Sequence, residues 1–96
     1  MVVHIVMVKF KEDCSQEQIV DIKNRLEQLV AYIKPLKSME VGLNFKASDR
    51  AMDLVLTATF DTKEGLEIYS PHPAHQEVVK SIKEFGEYTK VVDYEK

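Results

Sequence analysis

Residues 2–10 read VVHIVMVKF, with His4, Val6, Val8 and Phe10 on one side of an extended chain and Val3, Ile5, Met7 and Lys9 on the other. β-Branched residues fit a pleated strand, and apolar residues on both sides predict that both faces are covered. From Ser15 the period changes. Ile19, Ile22, Leu26, Leu29, Val30 and Ile33 fall on one side of a helix, with charged residues opposite. The run Ser15–Gln16–Glu17–Gln18 is a capping box, in which Ser15 serves an early backbone N–H and Gln18 reaches back. Pro35 predicts where that helix stops, because proline disfavours helical geometry in the residue before it. Alternation returns over residues 38–46, where Met39, Val41, Leu43 and Phe45 share a face. It returns again over residues 52–60, with Met52, Leu54, Leu56, Ala58 and Phe60 on one face and Asp53, Val55, Thr57 and Thr59 on the other. Asp61 and Glu64 carry a second capping pattern and open a short helix to about Tyr69. Pro71 and Pro73 break it, and Pro73 suits the first position of a new helix, where its missing N–H costs nothing. His72 then lies near the N-cap, and Val78, Val79, Ile82 and Phe85 form the apolar stripe. Residues 87–95 close the chain as a fourth strand.

The predicted order is β-α-β-β-α-β with the second helix broken at Pro71–Pro73. That is an α+β, ferredoxin-like domain: a four-stranded antiparallel sheet with its helices on one face. Residues 1–96 form one domain. The sheet face opposite the helices carries Val3, Ile5, Met7 and Val55, too apolar for water. A second copy packed sheet to sheet across a two-fold axis covers it economically, so a homodimer is expected.

Composition narrows the function classes. The formal charge is −3, with no basic patch, which argues against nucleic acid. The apolar N-terminal run is about half of what a membrane span requires, and it lacks the basic start and small-residue site of a signal peptide, so a cytoplasmic protein is expected. The single cysteine, Cys14, has no partner for an internal disulfide and fits a reducing compartment. It precedes a helix start, a place that can lower a thiol pKa, although a free cysteine usually serves as a small apolar filler. Three separated glycines make no phosphate loop, and no cofactor is expected.

Residues 69–75, YSPHPAH, hold two of the three histidines at the mouth of the last helix. Together with HIVMVKFK at the start, VGLNF in the second strand, TATFDTKEGLEIYSPHPAHQEVV and a closing VVDYE, they resemble the stress-responsive dimeric α/β-barrel (Dabb) family over nearly the whole chain. The resemblance implies a homodimer whose two sheets close a barrel. It includes plant stress-response proteins, bacterial members without assigned activity, and olivetolic acid cyclase, which closes a polyketide without a cofactor. The histidine and tyrosine of that cyclase correspond to His75 and Tyr69, and a first-strand cavity histidine to His4. A third-strand histidine has no counterpart, since Leu54 stands there. The resemblance also implies, for some plant relatives, magnesium on backbone carbonyls matching Val30, Ile33 and Leu36.

The residues themselves support a chemical role and a structural one equally. If His75 and Tyr69 flank one apolar pocket, with His4 below and His72 beside them, a neutral imidazole can take a proton next to a carbonyl. The phenol can then donate to the oxygen on which charge develops. Equally, His72 can cap the helix, His75 can be satisfied by His4 or a backbone carbonyl, and His4 can pack as a strand residue. Three imidazoles could also hold zinc, but no carboxylate in the motif completes a pattern. The expectation is therefore a homodimeric stress-response-type barrel with a pocket for a small apolar or carbonyl-bearing molecule, its activity unassigned. The alternatives are a cofactor-independent cyclase or isomerase working through His75 and Tyr69, and a monooxygenase of the kind found on related dimeric barrels.

Overall fold

The computed structural model describes residues 1–96. Strand β1 (Val2–Phe10) leads to helix α1 (Gln16–Gln28), which tightens into a 3₁₀ turn at Leu29–Ala31. Strands β2 (Leu36–Leu43) and β3 (Leu54–Phe60) follow, then helices α2 (Lys63–Tyr69) and α3 (Pro73–Phe85), and strand β4 (Gly86–Glu95). The sheet order is β2-β3-β1-β4, antiparallel throughout. This is the ferredoxin-like arrangement read from the sequence. No helix is long and apolar enough to cross a membrane.

One face of the sheet holds the core. Val8, Phe10, Val41, Leu54, Leu56, Ala58 and Phe60 pack against Ile22, Leu26 and Ile33 from the first helical region, and against Tyr69 and Val78 from α2 and α3. Each helix starts where its cap says it should. Ser15 accepts from the Gln18 amide at 3.1 Å while the Gln18 side chain accepts from the Ser15 amide at 2.9 Å. At α2 the cap is Thr62, accepting from the Gly65 amide, rather than Asp61 one residue earlier.

Several details differ from the sequence pattern. The first helix does not run to Pro35. Its last turn tightens to 3₁₀ geometry, which keeps Leu29 buried but leaves Val30 facing water. Strand β2 begins at Leu36 and ends at Leu43, so Phe45 is not the last residue of its apolar face. Asn44 turns the chain by donating its side-chain N–H to the Lys46 carbonyl, and Phe45 stands 99 % exposed. Strand β3 begins at Leu54 instead of Met52, because Asp53 is spent on β1: its amide donates to the Val8 carbonyl and its carboxylate accepts from the Phe10 amide at 2.8 Å. The Cys14 thiol is pushed upward, by burial first and by Asp13 and Asp53 after it, opposite to the effect expected of a helix start.

The second sheet face stays partly open. Val3 is buried between its strand neighbours, but Ile5 and Met7 are half-buried, and Val55, Tyr88, Val92 and Tyr94 are exposed on the same side.

Candidate functional site

Tyr69 is the last residue of α2, and the helix ends at its C-cap, Ser70. Its C-terminal carbonyls have no helix to continue into, so the next residues supply the partners. The His72 amide donates to the Tyr69 carbonyl at 3.1 Å. His72 then caps α3: its Nδ1 accepts from the Ala74 amide at 3.1 Å, and Pro73 occupies the first helical position. The capping alternative for His72 is thus the one that the structure displays.

One residue further into α3, the His75 Nδ1 lies 2.8 Å from the Ser70 carbonyl. A carbonyl only accepts, so Nδ1 carries the proton of the neutral ring and Nε2 keeps its lone pair. The His75 and Tyr69 ring centres are 4.2 Å apart and tilted by 34°. Phe60 meets the Tyr69 ring edge-on at 5.2 Å, and His4 approaches it edge-on at 6.1 Å. The break between α2 and α3 therefore brings Tyr69 and His75 together over the β1–β3 part of the sheet, with His4 beneath.

Tyr69 is fully buried, and its hydroxyl has no hydrogen-bond partner. Buried polar groups are nearly always paired, so this orphan stands out. Burial pushes the phenol well above the usual tyrosine range, so it is a proton donor at any ordinary pH. Burial likewise holds the His75 imidazole below its ordinary value. The Ser70 carbonyl pulls it upward, and nearby His4 and His72 push it further down when charged. His75 is accordingly an uncharged base with Nε2 open.

His4 is not simply packed. Its Nδ1 is paired with the Asp93 carboxylate, and the β1–β4 register sets the two residues side by side. Sequence reasoning missed Asp93. The only signal for it is the antiparallel register of the first and last strands, which no local pattern reveals. An open depression of about 360 Å³ reaches this pair at Asp93, running between Leu66 and Lys63 of α2 and Tyr94 and Glu95 of β4. A Lys63–Glu95 ion pair of 3.2 Å spans the two sides.

Leu54 is not brought to this cluster. It is buried and pairs with Val8 and Leu43, whereas His4 pairs with Ala58 four residues along the same strand, about 13 Å away at strand rise. Leu54 instead lines a separate depression of about 430 Å³ beside Met7 and Phe45. The carbonyl-bearing residues Val30, Ile33 and Leu36 lie in the 3₁₀ turn, the loop after it and the first position of β2. The Ile33 carbonyl already accepts the Leu36 amide at 3.0 Å. No three of His, Cys, Asp or Glu converge to hold an ion.

A depressed imidazole has a consequence for stability. Above pH ~6.5 His75 is neutral folded or unfolded and contributes no pH dependence. As pH falls below that value the unfolded chain takes up the proton first, so stability drops until the folded ring also protonates. Thermal melts from pH 7.5 to 5 should show a falling midpoint in the natural protein and a flatter profile in His75→Gln. Equal slopes would remove the buried-neutral assignment.

A model of the stress-responsive A/B barrel domain matches residues 2–96. The chain belongs to the stress-responsive A/B barrel domain family. Within that family it is 35 % identical over 77 residues to stress-response A/B barrel domain-containing protein At5g22580 of Arabidopsis thaliana, covering 77 % of this chain and 67 % of the relative. It is 27 % identical over 93 residues to the HS1 protein of the same plant, covering 95 % and 85 %. Among solved structures, At3g17210 from Arabidopsis thaliana superposes with a TM-score of 0.89 at 26 % identity, covering 100 % of this chain and 95 % of the other. A dimeric ferredoxin-like protein of unknown function from Bacteroides fragilis gives 0.82 at 30 % identity, covering 99 % and 95 %. A hydroxynitrile lyase from Passiflora edulis gives 0.85 at 25 % identity, covering 97 % and 90 %. The A/B barrel fold of this chain thus has relatives described as dimeric and one described as an enzyme.

Proposed function

We propose that this chain is a homodimeric small-molecule-binding A/B barrel, and that its ligand carries either a carbonyl oxygen that accepts from the Tyr69 hydroxyl or a hydroxyl that accepts from Tyr69 and donates to His75 Nε2. The observation that carries the site is the fully buried Tyr69 hydroxyl without a partner, beside an imidazole whose Nε2 is free. A buried, unsatisfied hydroxyl costs about 1–3 kcal/mol, and a ligand oxygen accepting from it recovers that cost. The nearest opening is the depression that ends at Asp93, the partner of His4, and a ligand reaching the phenol from there must displace the His4 ring. The homodimer is supported by the apolar outer face of the sheet and by the dimeric relative from Bacteroides fragilis.

A second function at the same place follows from the His75 tautomer. An uncharged Nε2 next to a donor phenol can remove a proton from carbon beside a carbonyl and stabilise the oxygen that gains charge. The Passiflora edulis hydroxynitrile lyase supports an enzyme on this scaffold.

The test uses 4-hydroxyacetophenone, which has both a phenol and a ketone. Titrated into protein with ¹⁵N-labelled histidine, it should move the His75 and His4 ring signals and leave His72 in place. Rings that stay unmoved up to millimolar probe, or a His72 shift equal to that of His75, would overturn the site. Deuterium uptake at the probe's methyl carbon in D₂O, lost in His75→Gln, separates catalysis from binding.

A further inference from the structure

We infer that Phe45 is the anchor of the contact between two copies of this chain: the ring of each copy enters the apolar groove that lies beside Phe45 in the other. This deepens the homodimer proposed above and depends on it.

Phe45 presents essentially all of its surface to water, at 99 % exposure. It is nevertheless held rather than loose. The residue before it, Asn44, donates its backbone amide to the Asp53 carbonyl at 2.9 Å and its side-chain amide to the Lys46 carbonyl at 2.9 Å. The two bonds bracket Phe45 and fix the start of the β2–β3 connection, so the ring projects from an ordered base. A bulky aromatic ring held in water without a partner is the usual form of an interface anchor in an isolated subunit.

The groove beside it is about 430 Å³ and is lined by Met7, Leu43, Phe45, Met52, Leu54 and Val55, with Arg50 its only charge. Two of those residues fix its orientation. Met7 and Val55 face each other across β1 and β3, on the side of the sheet away from the helices. Ile5, Val92 and Tyr94 share that side. The groove is therefore one end of the apolar face that the homodimer covers, and any sheet-to-sheet packing of two copies extends toward it. In a two-fold interface every contact is made twice, so an arrangement that seats the Phe45 ring of one copy in the groove of the other seats both rings at once. Methionine-lined walls adapt readily to an entering ring. The occupant is thus a second copy, not a peptide or a diffusible ligand.

Because Phe45 touches little in its own chain, its replacement should leave the fold intact, as far-UV circular dichroism can verify. Sedimentation of the natural protein should give a dimer. Phe45→Asp should weaken dimerisation by about ten-fold or more, as expected for a truncated anchor, and Phe45→Leu by less. Separately, p-benzoylphenylalanine placed at position 45, in mixed ¹⁴N/¹⁵N dimers, should crosslink on irradiation to the partner's Met7 or the partner's Met52. A natural protein that sediments as a monomer overturns both the homodimer and the anchor. A dimer that keeps its affinity in Phe45→Asp, or that crosslinks from position 45 only within one chain, overturns the anchor alone and leaves the homodimer standing.

Discussion

Tyr69→Phe should make the protein more stable, by about 1–2 kcal/mol, while abolishing its response to 4-hydroxyacetophenone. Most substitutions of a fully buried aromatic residue destabilise. This one removes only an oxygen, and that oxygen has no partner. The phenyl ring retains its contacts with Phe60, His4 and His75, so the packing that Tyr69 provides is kept. What disappears is the desolvation cost of an unpaired hydroxyl, about 1–3 kcal/mol, less a small cost for the space the oxygen filled. For a chain of this length, 1 kcal/mol moves the melting temperature by roughly 4–8 °C. A structural tyrosine predicts the reverse sign, because its hydroxyl would be contributing a bond. Stability gained together with binding lost is the signature of a group kept for a ligand. A midpoint that falls in Tyr69→Phe, or a probe response that survives it, would show that the hydroxyl already has a partner in solution or serves no ligand.

The element order was legible because each element announces itself locally. Ser15 and Gln18 mark one helix start, Pro73 marks another, and the strands alternate or run apolar as buried strands do. The Tyr69–His75 pairing was also within reach, since both residues flank one proline-punctuated break. What the sequence withheld depends on distant partners. Asp93 faces His4 across 89 positions of chain, and only the β1–β4 register joins them. Asp53 reads as an ordinary polar strand position, yet its carboxylate serves the Phe10 amide and shortens β3. Phe45 continues the alternation of β2 perfectly by pattern, but Asn44 turns the chain before it, and a period-two rule has no knowledge of that turn. Leu54, which the family resemblance places among pocket positions, is in this chain core at the far end of its strand from Tyr69. In each case a side-chain bond or a register overrode a local preference.

Phe60→Ala should be the most damaging single change considered, lowering stability by about 3–5 kcal/mol. Phe60 ends β3, is fully buried, and joins three parts of the molecule. It pairs with Val2 across β1 and with Leu36 across β2, and its ring supports Tyr69 at 5.2 Å. Helix α2 sits directly on it: a Cβ built on Gly65 would lie 3.4 Å from the Phe60 Cβ. Contact that close leaves the helix little room to settle further, so truncation produces a cavity and not a collapsed contact, and the cost lies toward the upper end. Small domains have about 5–15 kcal/mol in total, so the variant should lose between about a fifth and all of its stability. Urea titration provides the check. A midpoint that drops with an unchanged slope identifies lost packing, whereas a changed slope points to an altered unfolded or folded state. Phe60→Leu, which keeps most of the volume, should lose about 1–1.5 kcal/mol and hold the site together. If Phe60→Leu retains the shift of His75 on addition of 4-hydroxyacetophenone while Tyr69→Phe does not, the phenol itself binds the probe. If both lose it, the ring stack around Tyr69 is what the ligand reads, and the hydroxyl contributes only to its placement.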